Sequence, residues 1–156
     1  MATNRIKVAK DKADLVKALV TSDGTTGAFQ TYVEVMAFAA VLGAKHKKRV
    51  PLGEPSKKEL SPIPQEHFTS MGHDIVIKLL AVTETGDIKI LSSKEEEHED
   101  NRTLIFEEYA NGGLEILQNE LRGTVDYSER ILLFLSSERM NKEQLEEEFD
   151  LSKFLT

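Results

Sequence analysis

The sequence contains no cysteine and no tryptophan, and its other aromatic residues are seven Phe and three Tyr among 156 residues. Without cysteine, disulfides, thiolate metal sites and cysteine nucleophiles are excluded. The absence also fits a reducing compartment. So few aromatic side chains give no sign of a surface on which the bases of a single strand would stack.

Long apolar runs are also absent. The longest, Val35 to Gly43, is too short to span a bilayer, and the first seven residues lack the apolar core of a signal peptide. We therefore expect a cytoplasmic protein that makes no membrane contact. The length is that of a single domain, so residues 1–156 are predicted to share one core.

The residue patterns of common catalytic and metal sites are missing as well. The four histidines are 21, 6 and 25 residues apart, so no two share one helix face as metal ligands do. Neither a nucleophile elbow nor a phosphate loop is present. The acidic run at residues 95–100 would bind a hard cation weakly, but carboxylates are also favoured at a helix start. We predict no metal, no cofactor and no enzymatic activity.

The charges that are present divide the chain into two unlike parts. Residues 1–60 hold eleven Lys/Arg and six Asp/Glu, a net charge of +5, whereas residues 61–156 hold nine and twenty-one, a net charge of −12. The total of −7 hides this asymmetry. A basic part joined to an acidic part suggests contact with nucleic acid, with a basic protein, or between copies of the chain.

The order of elements in the basic part, residues 1–50, is that of a DNA-binding fold. Residues 5–10 alternate polar and apolar as a strand does, and residues 12–20 and 28–42 have helical spacing. Ribbon-helix-helix proteins have this order, pair the strand across a dimer and place it in the major groove of DNA. We predict a mainly α fold with a ribbon-helix-helix-like start and a helical C-terminal half.

Duplex DNA is accordingly a predicted partner. Arg5 and Lys7 share one face of the strand, and free N–H groups at the start of the second helix would bind a phosphate. The basic residues after that helix either contact phosphates or only cap the helix end and keep a loop solvated. The predicted DNA contacts are Arg5, Lys7, Thr25, Thr26, Gly27, Lys45, Lys47, Lys48 and Arg49.

The helix at residues 28–42 is apolar on nearly every face. Such a helix must be buried all round, at the centre of the core or in an oligomer interface. We expect a homo-oligomer, with an interface formed by Ile6, Val8, Val35, Phe38, Ala39 and Leu42.

The four prolines fall between residues 51 and 64. Residues 50–65 are therefore predicted to lack regular structure, within a connection at 51–72 that leads to an acidic helical part at 73–156. Residues 75–91 fit either a helix or a hairpin, and the spacing of their apolar residues favours the helix.

Helical spacing is clearest from Phe106 to Leu121, where Gly112 and Gly113 indicate a kink or a close backbone crossing. Two further helices are predicted to start at Asp126 and Asn141. The last one runs into an apolar tail, Leu151 to Leu155, which must dock on the chain or on a partner.

Three stretches carry a family resemblance: RIKVAKDKADLVKALV (5–20), GAFQTYVEVMAFAAVLGAKHKKRVPLGE (27–54) and IFEEYANGGLEILQNELRG (105–123). They resemble DNA phosphorothioation-associated protein 4, an accessory member of the Dnd system, which replaces a non-bridging phosphate oxygen of DNA with sulfur. A weaker likeness is to the small E subunit of that system, which is similar to ribbon-helix-helix proteins. Its Asn-x-Gly-x-Glu pattern is matched by Asn111, Gly113 and Glu115.

The resemblance implies a restriction-modification or defence role in the bacterial cytoplasm, with other Dnd-system proteins as partners. It implies an accessory protein that binds duplex DNA or regulates the operon, or a scaffold without DNA contact whose acidic part and tail bind proteins. The sulfur chemistry of the system is expected to need cysteines and an iron–sulfur cluster, which a chain without cysteine cannot supply.

Overall fold

The computed structural model describes residues 4–21 and 27–154, with side chains as far as Met140. The chain is mainly α, with a small two-stranded sheet near its start, as the sequence predicted. Two short 3₁₀ turns, Lys10–Lys12 and Ile88–Leu91, accompany these elements. The strands and helices are β1 (Arg5–Ile6), α1 (Ala13–Leu19), α2 (Tyr32–Lys45), β2 (Ile63–Pro64), α3 (Gln65–Ser70), α4 (Asp74–Thr85), α5 (Glu96–Leu121) and α6 (Tyr127–Phe154).

The centre of the fold is the crossing of α2 and α5, where three glycines bring two backbones into contact. A Cβ atom on Gly113 would lie 1.7 Å from the Ala39 carbonyl oxygen, and one on Gly43 would lie 2.1 Å from that of Tyr109. A Cβ on Gly112 would lie 1.9 Å from the Lys48 carbonyl oxygen. Of the two predicted roles for the glycine pair, the close crossing is the one observed. No larger residue fits at these positions.

The core around this crossing takes up the residues that were predicted to form an oligomer interface. Five of the six are buried within the chain itself, and Phe38 is half-buried against Phe29, with ring centroids 5.3 Å apart. The five buried residues are Ile6, Val8, Val35, Ala39 and Leu42. The helix α2 was predicted to lie either at the centre of the core or in an oligomer interface. Burial within the chain's own core accounts for its apolar faces. A homo-oligomer through other surfaces stays a prediction.

The predicted strand forms, but its partner lies in the same chain. Arg5 faces Pro64 and Ile6 faces Ile63 in an antiparallel pair, and the Ser56 N–H donates to the Val8 carbonyl over 2.7 Å. Residues 54–65 thus cover the edge that a ribbon-helix-helix dimer would use. The exclusion of regular structure from residues 50–65 was wrong at β2, where Pro64 is tolerated because this strand is an edge.

Several boundaries also differ from the predicted ones. α2 begins at Tyr32 instead of residue 28, because Thr31 caps it by accepting from the Glu34 N–H over 3.2 Å. The helix favoured for residues 75–91 is confirmed, as α4 and a 3₁₀ turn, so the hairpin was wrong. α3 was missed because the nearby prolines dominated the prediction. The two helices expected from Asp126 onward are one continuous α6.

Candidate functional site

The basic segment, which we define as Lys45 to Arg49, follows the last turn of α2. His46 is the C-cap residue, and Lys47 has a left-handed backbone with φ of 52° that turns the chain away from the helix axis. The turn directs successive cations toward different neighbours. The segment therefore lies against the acidic part of the chain instead of forming one flat basic face.

Every residue of the basic segment except Lys47 has an acidic partner within the chain. Lys45 Nζ lies 2.7 Å from Glu138 Oε2, and His46 Nε2 lies 2.9 Å from the other oxygen of the same carboxylate. These contacts join the end of α2 to α6. Because one carboxylate is shared by two neighbouring residues, the position of α6 depends on this short stretch.

The second half of the basic segment binds α4 and α5. Lys48 Nζ lies 3.6 Å from Glu115 Oε1. The Arg49 guanidinium donates through Nε to Glu108 over 2.7 Å and through Nη1 to Glu84 over 3.0 Å. Lys47 is exposed and makes no ion pair within the described part of the chain. Three helices of the acidic part are thus tied to one basic segment.

The pKa directions agree with this pairing. The hydrogen bond from Lys45 lowers the pKa of Glu138 against the effect of partial burial. Burial alone would lower the pKa of Arg49, but its bonds to Glu108 and Glu84 outweigh this and raise it. The Tyr109 hydroxyl donates to Glu84, which lowers the pKa of that carboxyl and raises that of Tyr109. All these groups are held in their charged or hydrogen-bonded forms at neutral pH.

Arg5 and Lys7 are placed as the strand pattern predicted, on the exposed side of β1 and its extension, with Ile6 and Val8 buried opposite. Neither side chain makes an ion pair within the described residues. They line a groove together with residues from the N-terminal half of α5.

Of the three residues predicted to bind a phosphate at the start of the second helix, only Gly27 is described. Thr25 and Thr26 lie outside the described residues. Gly27 precedes the first residue of α2 by five positions, and its carbonyl accepts from the Thr21 hydroxyl over 2.8 Å. Its backbone is not at the helix N-terminus, because the true N-cap is Thr31.

Sequence reasoning missed one buried carboxyl, Glu107. Only 3% of this residue is exposed, and its Oε2 accepts the Lys7 backbone N–H over 2.5 Å. Burial raises its pKa to about 7, although the Lys7 N–H and the Lys7 charge act in the opposite direction and Glu108 adds to the rise. The available signal was its position in the apolar stripe of α5, directly after Phe106 and three residues before Ala110.

The outer face of α6, which we define as Leu132, Leu133 and Met140, consists of exposed apolar side chains. Their exposed fractions are 65%, 54% and 63%. Ile131 and Phe134 point to the core on the opposite side of the helix, as a period of 3.6 residues requires. The outer face therefore has no cover within the described chain.

A family model, DNA sulphur modification system-associated protein 4, matches residues 5–154 of the sequence. The chain belongs to this family. The resemblance found in the sequence is thereby confirmed, and the family description makes the chain an accessory protein of a DNA sulphur modification system. No curated protein and no solved structure matches the chain.

Metal-binding clusters and membrane-spanning helices are two further features by which the described residues can be judged. Among them, no group of three or more His, Cys, Asp or Glu side chains converges as metal ligands would. No helix in the described ranges is long and apolar enough to cross a membrane. The outer face of α6 and the groove beside Glu107 are two described features that could contact another molecule.

Proposed function

We propose that the chain is a non-catalytic adaptor of the DNA sulphur modification system. It binds another protein of that system through the outer face of α6. The observation that carries this proposal is the uncovered apolar surface on Leu132, Leu133 and Met140, because large apolar groups gathered on one face mark interaction sites.

Charge indicates what the partner presents. Glu129 is an exposed residue near the start of α6, and the same helix contains five further Asp/Glu between residues 143 and 150. An amphipathic segment with apolar side chains flanked by Lys or Arg would complement this surface.

The internal pairing of the basic segment supports an adaptor over a DNA-binding protein. Lys45, Lys48 and Arg49 already bind carboxylates, so a phosphate would have to displace those partners. The gain from releasing counterions would be offset by the loss of these ion pairs.

The adaptor proposal is tested with the other proteins of the system, purified one at a time. Isothermal titration calorimetry should show binding to at least one of them. The double variant Leu132→Glu/Met140→Glu should weaken that binding at least tenfold. The matched control is Leu79→Glu, at a residue 58% exposed on α4, and it should bind like the parent. Loss of binding in the control too, or no binding to any of these proteins, contradicts the proposal.

Duplex-DNA binding, with control of the operon as its consequence, is the second candidate. It is favoured by Arg5, Lys7 and Lys47, which are exposed and make no ion pairs within the described part of the chain. Fluorescence anisotropy with a 25-base-pair duplex, intact and nicked, tests it at two salt concentrations. Three phosphate contacts predict a slope of about −2.7 for the logarithm of the binding constant against the logarithm of the salt concentration. Changing Arg5, Lys7 and Lys47 to Ala should abolish this salt dependence. Absence of salt-sensitive binding removes this candidate.

A further inference from the structure

A groove of about 610 Å³ lies between the first described residues and the N-terminal half of α5. This volume is within the range of small-molecule sites in proteins. Arg5 and Lys7 line it from one side, and Thr103, Leu104 and Glu107 line it from the other. The groove is distinct from the basic segment and from the outer face of α6.

Two polar side chains in the lining have unused hydrogen-bonding capacity, namely the Glu107 carboxyl at Oε1 and the buried Thr103 hydroxyl. Only 3% of Glu107 is exposed. Its single hydrogen bond uses Oε2, so Oε1 has no hydrogen-bond partner among the described residues. The Thr103 hydroxyl is also buried and has no partner there. Buried polar groups are normally paired, and leaving them unpaired is costly. A ligand that bonds the Thr103 hydroxyl would remove this cost, and one that donates to Glu107 Oε1 would use its free acceptor.

The rest of the lining combines opposite charges with apolar surface. Arg5 and Lys7 are exposed cations, whereas Asp100 adds a carboxylate. The cations disfavour a ligand that is only positive, and the two carboxyl groups disfavour one that is only negative. Pro62 and Leu104 supply apolar surface suited to the face of a planar ring. The lining therefore fits a ring that bears a donor group and is joined to an anion.

We propose that this groove binds a nucleotide whose base carries an amino group. The amino group donates to the Glu107 carboxylate, and the phosphate lies between Arg5 and Lys7. Cytosine fits these requirements, since its N4 amino group is the donor that a glutamate accepts in base recognition. This inference goes beyond the adaptor proposal and does not depend on it, because it uses a different surface.

The deoxycytidine dinucleotide and the thymidine dinucleotide are the probes that test it. They are similar in size and share one phosphodiester, but thymine lacks the amino group. Titration is followed by the ¹H–¹⁵N signal of Lys7, whose N–H donates to Glu107. We expect saturable shifts centred on Lys7, with the deoxycytidine probe binding about tenfold more tightly. Equal binding of both probes, or no shift at Lys7, overturns the proposal.

Variants separate the base from the phosphate. Glu107→Gln should abolish the preference for deoxycytidine and leave thymidine binding unchanged. Arg5→Ala lies on the exposed rim, where folding is not at risk, and should weaken both probes several-fold. The matched control is Lys17→Ala, at another exposed cation without an ion pair among the described residues. If Arg5→Ala binds as tightly as Lys17→Ala, the phosphate assignment is overturned.

The pH dependence gives a further check. The charged neighbours of Glu107 are Lys7, Glu108, Arg5 and Asp100. A carboxyl with a pKa of about 7 is mostly protonated at pH 6 and mostly ionised at pH 8. Deoxycytidine binding should therefore tighten about tenfold over that interval in the parent and stay constant in Glu107→Gln. A constant affinity in the parent overturns the assigned contact.

The source of the nucleotide is distinguished by two more titrations, one with free deoxycytidine monophosphate and one with a strand of ten deoxycytidines. Tighter binding of the strand, with the same Lys7 shifts, identifies DNA as the source. Equal or tighter binding of the monophosphate identifies a free nucleotide. Shifts that spread away from Lys7 with either ligand overturn the site.

Discussion

Glu138 of α6 binds Lys45 at the last turn of α2, with Nζ and Oε2 2.7 Å apart, and its second oxygen contacts His46. We expect Glu138→Gln to lower the free energy of unfolding by about 0.5–1 kcal/mol at pH 7, as for a partly exposed pair. Urea titration followed by circular dichroism measures this.

The pH dependence of this contribution has a defined sign. The pKa of Glu138 is lowered in the folded state, so its stabilisation is present above the unfolded pKa. It is lost as the pH falls from about 4.5 through the folded pKa. Parent and Glu138→Gln should therefore converge in stability under acid. A difference that grows as the pH falls would contradict the pairing.

Arg49→Lys should destabilise the chain by about 1 kcal/mol, because an ammonium group cannot reproduce the two-directional donation to Glu84 and Glu108. Chemical denaturation at pH 7 is the measurement. The matched control is Lys47→Ala in the same segment, which has no ion pair within the described residues and should change stability by less than about 0.5 kcal/mol. Equal effects of the two changes would argue against the bridging role.

Glu107 should make the chain less stable as the pH rises. Its pKa is raised from 4.5 to about 7, so between these values the folded state holds a proton that the unfolded state has lost. The free energy of unfolding then falls with rising pH, by about 3 kcal/mol over the whole interval. Glu107→Gln has no such titration, so its free energy of unfolding relative to that of the parent should rise from pH 5 to pH 8. Parallel stability curves for the two proteins would disprove the shifted titration.

Gly113→Ala tests the crossing of α2 and α5. Helix propensity alone predicts a gain of about 1 kcal/mol. The added Cβ would lie 1.7 Å from the Ala39 carbonyl oxygen, so we expect a loss of about 3 kcal/mol or more. Thermal unfolding gives the sign directly. Asn119→Ala on the exposed side of α5 is the control and should be nearly neutral.

The helices could be predicted from the sequence because their apolar spacing is a local property. The stripe of α5 and the apolar character of α2 are visible within single segments, and both helices formed as expected. Boundaries were less accurate where a capping residue decided them. The start of α2 at Tyr32 follows from the cap at Thr31, and the helix ends at Lys45 with His46 as its C-cap, whereas the predicted helix spanned residues 28–42.

The candidate sites were harder to predict, because they depend on contacts between distant residues. The partners of the basic segment lie 35 to 93 residues away along the chain. No local pattern shows that Arg49 meets both Glu84 and Glu108. The in-chain partner of β1 was hidden for the same reason, since it is a two-residue strand next to prolines. The burial of Glu107 could not be predicted either, because it depends on contact with the distant N-terminal segment around Lys7.

The bond between Lys7 and Glu107 also has a consequence for biosynthesis. Its two residues are 100 positions apart, so the N-terminal segment emerges from the ribosome long before its α5 partner is made. At about 5–20 residues per second, the delay is about 5–20 s. During that time the partners of β1 at residues 56, 63 and 64 are already made, but the α5 side of the segment has no cover yet. The cover that α5 gives to the segment around Lys7 is thus added late in synthesis.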